Sequence, residues 1–318
     1  MIAFVFPGQG SQRAGMGRAL AAAFPVCRDA FAEADAVLGE PISRLCFEGP
    51  EEQLALTSNT QPAMLAVSVA VDRLLRSRGC APAFLAGHSL GEYSAHVSAG
   101  TLGFADALRA VRRRGQYMQE AVPVGEGAMA VVMGLDAERL EQACRDAAMG
   151  EVVSPANWNA PGQVVLAGHA AAVARAGVRA RELGARRVMS IPVSAPFHCA
   201  LMRPAEERLA PELRALVVDT PAAPVVSTFD AEPKRSGAEA IEALIRQVSA
   251  PVRWEAVVRR LVREGATTFV EVGPGRVLGG LIRKTDRSLR VANVEDPDSL
   301  ASTEAKLDAG AQRVEADG

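Results

Sequence analysis

The chain has 318 residues, with 35 Lys and Arg against 37 Asp and Glu, a formal net charge of −2, and 49% hydrophobic residues. This length suits one large domain or two smaller ones, and the composition is typical of a globular protein with a full core. Non-specific binding to nucleic acid or to an anionic membrane needs a large excess of Lys and Arg, so the balanced charge argues against both as partners.

The first part of the chain alternates short apolar runs with helical periodicity. Residues 2–6 form an all-apolar run that ends at a Pro-Gly pair, and residues 83–86 form a second one. Such runs are typical of buried parallel strands. Helices are predicted over residues 17–38, 59–75, 92–99 and 104–120. Strands that alternate with helices favour a parallel sheet covered on both faces.

From about residue 127 the pattern changes to β-α-β-β-α-β. The four strand-like runs lie at 128–133, 152–158, 163–167 and 187–192. The two helical segments lie at 136–148 and 169–183. This order is that of a ferredoxin-like unit. We therefore predict a small ferredoxin-like subdomain at 125–196, inserted into a large α/β domain made of residues 1–124 and 197–295.

The remaining elements return to the large domain. They are predicted helices near 200–215, 238–248 and 254–263, a strand near 225–227, and a strand–turn–helix over 267–283. Residues 296–318 are polar and rich in small residues, so we predict a disordered C-terminal tail. The predicted fold class is α/β, with a hydrolase-like, parallel-sheet large domain and an inserted ferredoxin-like subdomain.

The cysteines and the N-terminus indicate a cellular compartment. The five cysteines are scattered and include no CxxC pair, which predicts reduced thiols in an intracellular protein. The N-terminus lacks the basic region and the long apolar run of a secretory signal. No stretch approaches the ~18 consecutive apolar residues that a membrane span requires. We therefore predict a cytoplasmic protein, and we expect it to be a monomer.

The sharpest motif is Gly87-His88-Ser89-Leu90-Gly91, a GxSxG that follows a short buried strand and precedes a helix. In that setting the glycines allow a tight turn that exposes the serine hydroxyl at the N-terminus of the helix. Backbone N–H groups in such a turn can stabilise an oxyanion. The alternative is a glycine-rich turn with an incidental serine.

A serine hydroxyl near neutral pH needs a base, and the chain contains four histidines. His88 adjoins the serine, His96 lies on the following helix, and His169 begins a helix of the small subdomain. His198 lies in the loop where the chain returns from the subdomain, which places it to face a cleft, although an exposed loop histidine fits the pattern equally well. Since there is no HExxH motif and no Cys/His cluster, we predict no metal site.

Two further segments bear on ligand binding. The glycine-rich loop at 6–12 does not complete a dinucleotide fingerprint, because Arg13 stands where the third glycine belongs, and it lacks the P-loop ending. A loop after the first strand can nevertheless line a cleft. In the run 112–114, Arg112 and Arg113 fit a solvated face. Arg114 is offset around the helix, and its guanidinium is placed to bind a carboxylate bidentately.

Seven segments in this order resemble the malonyl-CoA:acyl carrier protein transacylase family, and the resemblance covers residues 1–295. They are FVFPGQGSQ at 4–12, TQPA at 60–63, AGHSLGEYSAH at 86–96, RRGQYMQEAVP at 113–123, NWNAPGQVVLAGH at 157–169, SAPFHCALMRPA at 194–205 and EVGPGRVLGGL at 271–281.

The resemblance implies a covalent mechanism and assigns its residues. Ser89 would be the acyl-accepting nucleophile and His198 its base, without a third carboxylate member. The backbone N–H groups of Gln9 and Leu90 would form the oxyanion hole, and Arg114 would pair with the malonyl carboxylate. The remaining residues implied for the substrate site are His88, Asn157, Phe197, which the family associates with malonyl over methylmalonyl, and Gln247, on the segment that orients the histidine.

The implied reaction moves malonyl from malonyl-CoA to the phosphopantetheine thiol of an acyl carrier protein, for fatty-acid or polyketide synthesis, with no cofactor bound to the enzyme. Alternatives stay open. A hydrolase that clears acyl groups from carrier proteins would have little use for Arg114. A lipase or esterase would need an acidic residue between Ser89 and His198 as a third triad member. A non-catalytic docking module predicts the loss of Ser89 or His198, and both are present.

Overall fold

The computed structural model describes residues 1–193 and 195–316, with side chains described as far as residue 308. Ser194, which begins the motif at 194–205, and residues 317 and 318 of the predicted tail lie outside the described residues. The described chain forms an α/β fold with two separate sheets, which confirms the predicted fold class.

The strands belong to a large sheet of six strands and a small sheet of four. In chain order they are β1 (Ile2–Phe6), β2 (Phe84–Gly87), β3 (Gly127–Met133), β4 (Val153–Ala160), β5 (Gln163–His169), β6 (Arg187–Ile191), β7 (Val225–Val226), β8 (Pro233–Lys234), β9 (Thr268–Val272) and β10 (Arg290–Val294). The large sheet has the order β10-β9-β1-β2-β7-β8. Its strands run parallel from β10 to β7, and β8 pairs antiparallel with β7.

The helices cover both sheets. In chain order they are α1 (Arg18–Ala23), α2 (Pro25–Leu38), α3 (Ile42–Glu48), α4 (Glu51–Leu54), α5 (Thr57–Ser77), α6 (Gly91–Ser98), α7 (Phe104–Glu120), α8 (Ala137–Ala148), α9 (Ala170–Glu182), α10 (Arg203–Arg214), α11 (Gly237–Gln247), α12 (Trp254–Arg263), α13 (Val277–Thr285) and α14 (Pro297–Ala316). None of the described helices combines the length and hydropathy that a membrane crossing requires.

The large sheet is buried on both faces, and β1 shows how. Ala3 and Val5 pack into one core together with Trp254, whereas Phe4 and Phe6 pack into the larger core on the other side. Successive side chains of a strand point to opposite faces. A strand that is covered on both faces therefore reads as a continuous apolar run, as residues 2–6 do in the sequence.

The small sheet is antiparallel and has the order β4-β5-β3-β6. Together with α8 and α9, which pack into a core of their own with the sheet, this is the predicted ferredoxin-like β-α-β-β-α-β arrangement. The residue limits 125–196 of the subdomain stay a prediction. Side chains on the remaining face, among them Met129, Val131 and Ile191, line a cleft against the large domain.

The edge strand of the small sheet is tied to the large domain through its backbone. Trp158 N–H donates to the carbonyl oxygen of Val252 at 2.8 Å, and Val252 N–H donates to that of Ala156 at 2.8 Å. Val252 lies shortly after α11. These hydrogen bonds fix β4 relative to the segment that carries Gln247.

One predicted helix is two helices in the structure. The segment predicted as a helix over 17–38 breaks between α1 and α2, where Phe24 has φ −126° and ψ 120°. Pro25 begins α2. A residue that precedes proline is pushed out of the helical region into the extended one, so the break falls at Phe24.

The C-terminal end also differs from the sequence prediction. Residues 290–294 form β10, which was missed, and residues 297–316 form α14, so the prediction of a disordered tail was wrong there. Leu300 and Thr303 of this helix are buried, and Thr303 Oγ1 donates to the carbonyl oxygen of Asn293 at 2.9 Å. Because few large apolar residues mark the buried side of α14, its helical periodicity is hard to detect among small and polar residues.

Candidate active site

Ser89 lies in a sharp turn between β2 and α6. Its φ is +52°, in the left-handed region that non-glycine residues rarely adopt. The turn needs backbone contacts that only glycine permits: a Cβ on Gly87 would lie 1.9 Å from the carbonyl carbon of Gly91, and a Cβ on Gly91 would lie 2.1 Å from the carbonyl oxygen of Phe6. The structure thus forms the strand–turn–helix geometry predicted from the GxSxG motif.

His198 faces this serine. Its Nε2 lies 2.7 Å from Ser89 Oγ, and its Nδ1 lies 2.9 Å from the carbonyl oxygen of Gln247. Since a carbonyl oxygen can only accept, Nδ1 carries the proton, and Nε2 is left to accept from the serine hydroxyl. His198 also has a left-handed backbone, with φ +60°, so both members of the pair occupy strained positions.

The His198 imidazole is neutral at physiological pH. Burial, together with the positive charge of Arg114, lowers its pKa to about 3. Both effects disfavour the charged form. The ring is therefore available as an acceptor of the Ser89 proton throughout the neutral range.

Arg114 contacts the same serine oxygen from α7. Its Nη2 donates to Ser89 Oγ at 3.0 Å and to Gln247 Oε1 at 2.9 Å, and its Nη1 donates to Gln61 Oε1 at 2.9 Å. The side chain is only 1% exposed. Among the described residues, no carboxylate forms an ion pair with it. A buried guanidinium that lacks an anionic partner is costly, so the site is suited to an anionic group.

These groups open into a cleft of about 500 Å³ between the large domain and the open face of the small sheet. Of the residues implied by the resemblance, those that line it are Gln9, His88, Ser89, Leu90, Arg114, Asn157, Phe197 and His198. Residues from well-separated parts of the chain thus meet at one cavity.

The backbone N–H groups of Gln9 and Leu90 have no acceptor within the part of the chain that the structure describes. The loop that carries Gln9 packs tightly on the turn: a Cβ on Gly8 would lie 2.4 Å from the carbonyl oxygen of His88. Two unpaired donors beside a serine hydroxyl are suited to hold a negatively charged oxygen.

Gln247 lies behind the cavity rather than in its wall. It is fully buried and is not among the residues that line the cleft. Its backbone carbonyl accepts from His198, and its side chain contacts Arg114, the Ser89 carbonyl and Glu92. The predicted orientation of the histidine is present, whereas a direct substrate contact of Gln247 has no geometric support.

Two polar residues of the cleft, Asn159 and Gln61, were not predicted from the sequence. His88 Nε2 donates to Asn159 Oδ1 at 2.9 Å, and Gln61 binds Arg114. A signal for Asn159 was available, because Asn157 and Asn159 are two residues apart on a strand and so share one face. Gln61 offered no comparable signal, because it lies among other polar residues in the first turns of α5.

The described side chains offer no group of three or more His, Cys, Asp or Glu residues arranged to hold a metal ion. His96, the other histidine near the motif, is fully buried in the core.

The chain matches the family model described as acyl transferase domain over residues 3–311. It is 48% identical to the malonyl CoA-acyl carrier protein transacylase of Escherichia coli K12 over 301 residues, which are 94% of this chain and 97% of the relative. The Bacillus subtilis protein of the same name is 47% identical over 300 residues, 94% of this chain and 95% of the relative. The family resemblance inferred from the motifs is confirmed.

Solved structures agree. An acyl carrier protein S-malonyltransferase from Vibrio cholerae superposes with a TM-score of 0.93 at 48% identity, covering 95% of this chain and 99% of that one. A malonyl-transacylase solved in complex with its type II PKS acyl-carrier protein has the same TM-score and identity, and covers 95% of this chain and 98% of its own.

The lowered pKa of His198 leads to a testable prediction. In the folded protein the His198 imidazole should stay neutral between about pH 5 and 8, because its pKa is lowered to about 3. NMR of labelled imidazole nitrogens checks this directly. The unfolded chain in concentrated urea is the control, since its histidines should titrate near 6.5.

The same lowering of the His198 pKa makes the free energy of unfolding depend on pH. Between the unfolded pKa of about 6.5 and the folded value of about 3, the unfolded state binds more protons, so His198 lowers stability progressively as the pH falls through this window. A midpoint between about pH 6 and 7 for His198 in the folded protein would contradict the neutral-base assignment.

Proposed function

The chain belongs to the acyl transferase domain family, and from that premise we propose that it transfers a malonyl group from malonyl-CoA to the phosphopantetheine thiol of an acyl carrier protein. One observation carries the proposal: Ser89 Oγ lies between His198 Nε2 at 2.7 Å and Arg114 Nη2 at 3.0 Å. A proton acceptor and a buried cation thus flank one hydroxyl, as the transfer of a carboxylated acyl group requires.

In the first half-reaction Ser89 Oγ attacks the thioester carbonyl carbon of malonyl-CoA. The new O–C bond forms as the serine proton passes to His198 Nε2. The tetrahedral intermediate collapses, the C–S bond breaks, and the CoA sulfur leaves with the proton held by the imidazolium. A malonyl ester on Ser89 and a neutral His198 remain.

The negative charge on the tetrahedral intermediate is held by the backbone N–H groups of Gln9 and Leu90. Each donor of this kind contributes on the order of 3 kcal/mol to the transition state. The absence of an acceptor for either N–H group within the described chain supports this assignment. His88 and Asn157, which line the cleft, serve as secondary contacts for the substrate.

In the second half-reaction the carrier protein supplies the nucleophile. His198 takes the proton of the phosphopantetheine thiol, the sulfur attacks the malonyl ester, and the bond to Ser89 Oγ breaks as the proton returns to the serine. This is a ping-pong reaction. The substrates and the chain's own residues account for every proton and electron pair. The product serves fatty-acid or polyketide synthesis, both of which extend chains with malonyl units.

Arg114 selects the acyl group. A malonyl carboxylate neutralises the buried guanidinium through charge-assisted hydrogen bonds, whereas an acetyl or long acyl chain leaves it unpaired at a considerable cost. Phe197 lines the same cleft and adds a steric preference for malonyl over methylmalonyl. Since one methyl group is worth roughly 1–3 kcal/mol in such a pocket, Phe197 confers a preference rather than an exclusion.

A labelling experiment tests the transfer. Protein incubated with radiolabelled malonyl-CoA should retain label as a stable ester, and the label should move to added holo carrier protein. Ser89→Ala should retain none, because it lacks the acyl-accepting oxygen. Ser94→Ala is the matched control, since Ser94 is a buried serine of α6 outside the cleft wall, and it should label as the wild type does.

Two outcomes would contradict the proposal. Rapid release of free malonate without transfer would identify a carrier-protein hydrolase instead. Label retained by folded Ser89→Ala would show that another residue accepts the acyl group.

The role of Arg114 makes a separate prediction. Arg114→Ala should lower kcat/KM for malonyl-CoA by about a hundredfold or more, as expected when one partner of a buried charge pair is removed. The activity toward acetyl-CoA should rise relative to malonyl-CoA. Arg113→Ala, at the exposed neighbouring position of the same helix, is the control and should keep the wild-type preference. Unchanged selectivity in Arg114→Ala would refute the role of its guanidinium.

A further inference from the structure

The side-chain amide of Gln247 lies between a buried cation and a buried acid. Its Oε1 accepts from Arg114 Nη2 at 2.9 Å, and its Nε2 donates to Glu92 Oε2 at 2.7 Å. All three side chains are at most 1% exposed. Glu92 is not among the residues that line the cleft, so its contact with the site runs through Gln247.

Glu92 is held firmly in place at the start of α6. Its Oε2 accepts from the backbone N–H of Thr228 at 2.9 Å and from Thr228 Oγ1 at 2.7 Å, in addition to Gln247 Nε2. Burial raises the pKa of this carboxyl, while the hydrogen bonds from Thr228 and Gln247 act to lower it. Oε2 accepts all three hydrogen bonds whether or not the other oxygen carries a proton.

The two ends of an amide are chemically opposite, one a donor and the other an acceptor. Nε2 also approaches the Ser89 carbonyl at 3.1 Å and Thr228 Oγ1 at 3.2 Å, but its contact with Glu92 is shorter. Moreover, the Thr228 hydroxyl donates its hydrogen to Glu92, so only lone pairs face Gln247. Glu92 is thereby the nearer of two acceptors, the other being the Ser89 carbonyl, that fix which end of the amide faces Arg114.

Without the Glu92 carboxylate, the Ser89 carbonyl at 3.1 Å is the acceptor-only group that remains on Nε2, so the orientation of the amide is held less firmly. The Thr228 hydroxyl would be free to donate to Oε1, and the amide could turn over. Nε2 would then face the guanidinium of Arg114. Because both groups are hydrogen-bond donors, they would repel each other, and Arg114 would leave its position beside Ser89. An unmet hydrogen bond between buried groups is expensive, so Arg114 would move to find another acceptor.

We propose that Glu92 is a positioning residue that, through Gln247, holds Arg114 in place for the malonyl carboxylate. The inference rests on the proposed function, because it concerns the group that recognises the acyl chain. It differs from a purely structural role of Glu92, which would stabilise the loop at Thr228 without affecting one acyl group more than another.

Glu92→Met tests the inference, because it keeps the length of the side chain and removes the acceptor. We expect kcat/KM for malonyl-CoA to fall about tenfold or more relative to that for acetyl-CoA. A structural role alone would lower both values equally. The matched control is Asp72→Asn, which alters another buried acid that binds Ser98 at the far end of α6. It should leave the malonyl to acetyl ratio unchanged.

A second pair of variants applies if Glu92→Met does not fold. Glu92→Gln keeps an acceptor oxygen on a side chain of the same length, so it should keep the wild-type malonyl to acetyl ratio. Glu92→Asp shortens the side chain by one methylene and moves the acceptor away from Gln247, so its malonyl to acetyl ratio should fall. The reverse order or equal ratios would overturn the inference, as would an unchanged ratio in folded Glu92→Met. A wild-type protein that transfers no malonyl would instead contradict the proposed function, so the two failures are distinguishable.

Discussion

The arrangement of the site depends on a guanidinium buried without a carboxylate partner among the described residues. Oxygen atoms of Gln61, Gln247 and Ser89 accept hydrogen bonds from the two terminal nitrogens of Arg114, while its charge is left to be neutralised. The same charge helps to lower the pKa of His198 to about 3. In the proposed function, one cation therefore attracts a carboxylated acyl group and also keeps His198 in the neutral form that can accept the serine proton.

The fold brings these groups together from distant parts of the chain. Ser89 and His198 are 109 residues apart in sequence, and they meet because the turn after β2 and the loop after the small subdomain border the same cleft. Glycines at positions 87 and 91 let the turn pack against β1. The hydrogen bonds between β4 and Val252 hold the small sheet over the cleft. These backbone contacts thus position the side chains that meet in the cleft.

Local patterns predicted much of this. The GxSxG turn, the limits of α7, the ferredoxin-like order of the small sheet and the inward position of Arg114 all follow from motifs and periodicity within short windows. The hydrogen bonds of Gln247 join residues 133 and 155 positions away in the chain, and no local pattern encodes such pairs. β10 and α14 were missed for a related reason, since their packing partners, rather than their own composition, make them regular.

The most direct test of the central claim is a crystal structure of the malonyl-enzyme, trapped before the carrier protein is added. If Arg114 recognises the malonyl group, the ester will be on Ser89 Oγ and both carboxylate oxygens will lie about 2.7–2.9 Å from guanidinium nitrogens of Arg114, the range of charge-assisted hydrogen bonds. A malonyl ester on Ser89 whose carboxylate points away from Arg114, toward solvent or another side chain, would contradict the claim that this buried cation selects the substrate.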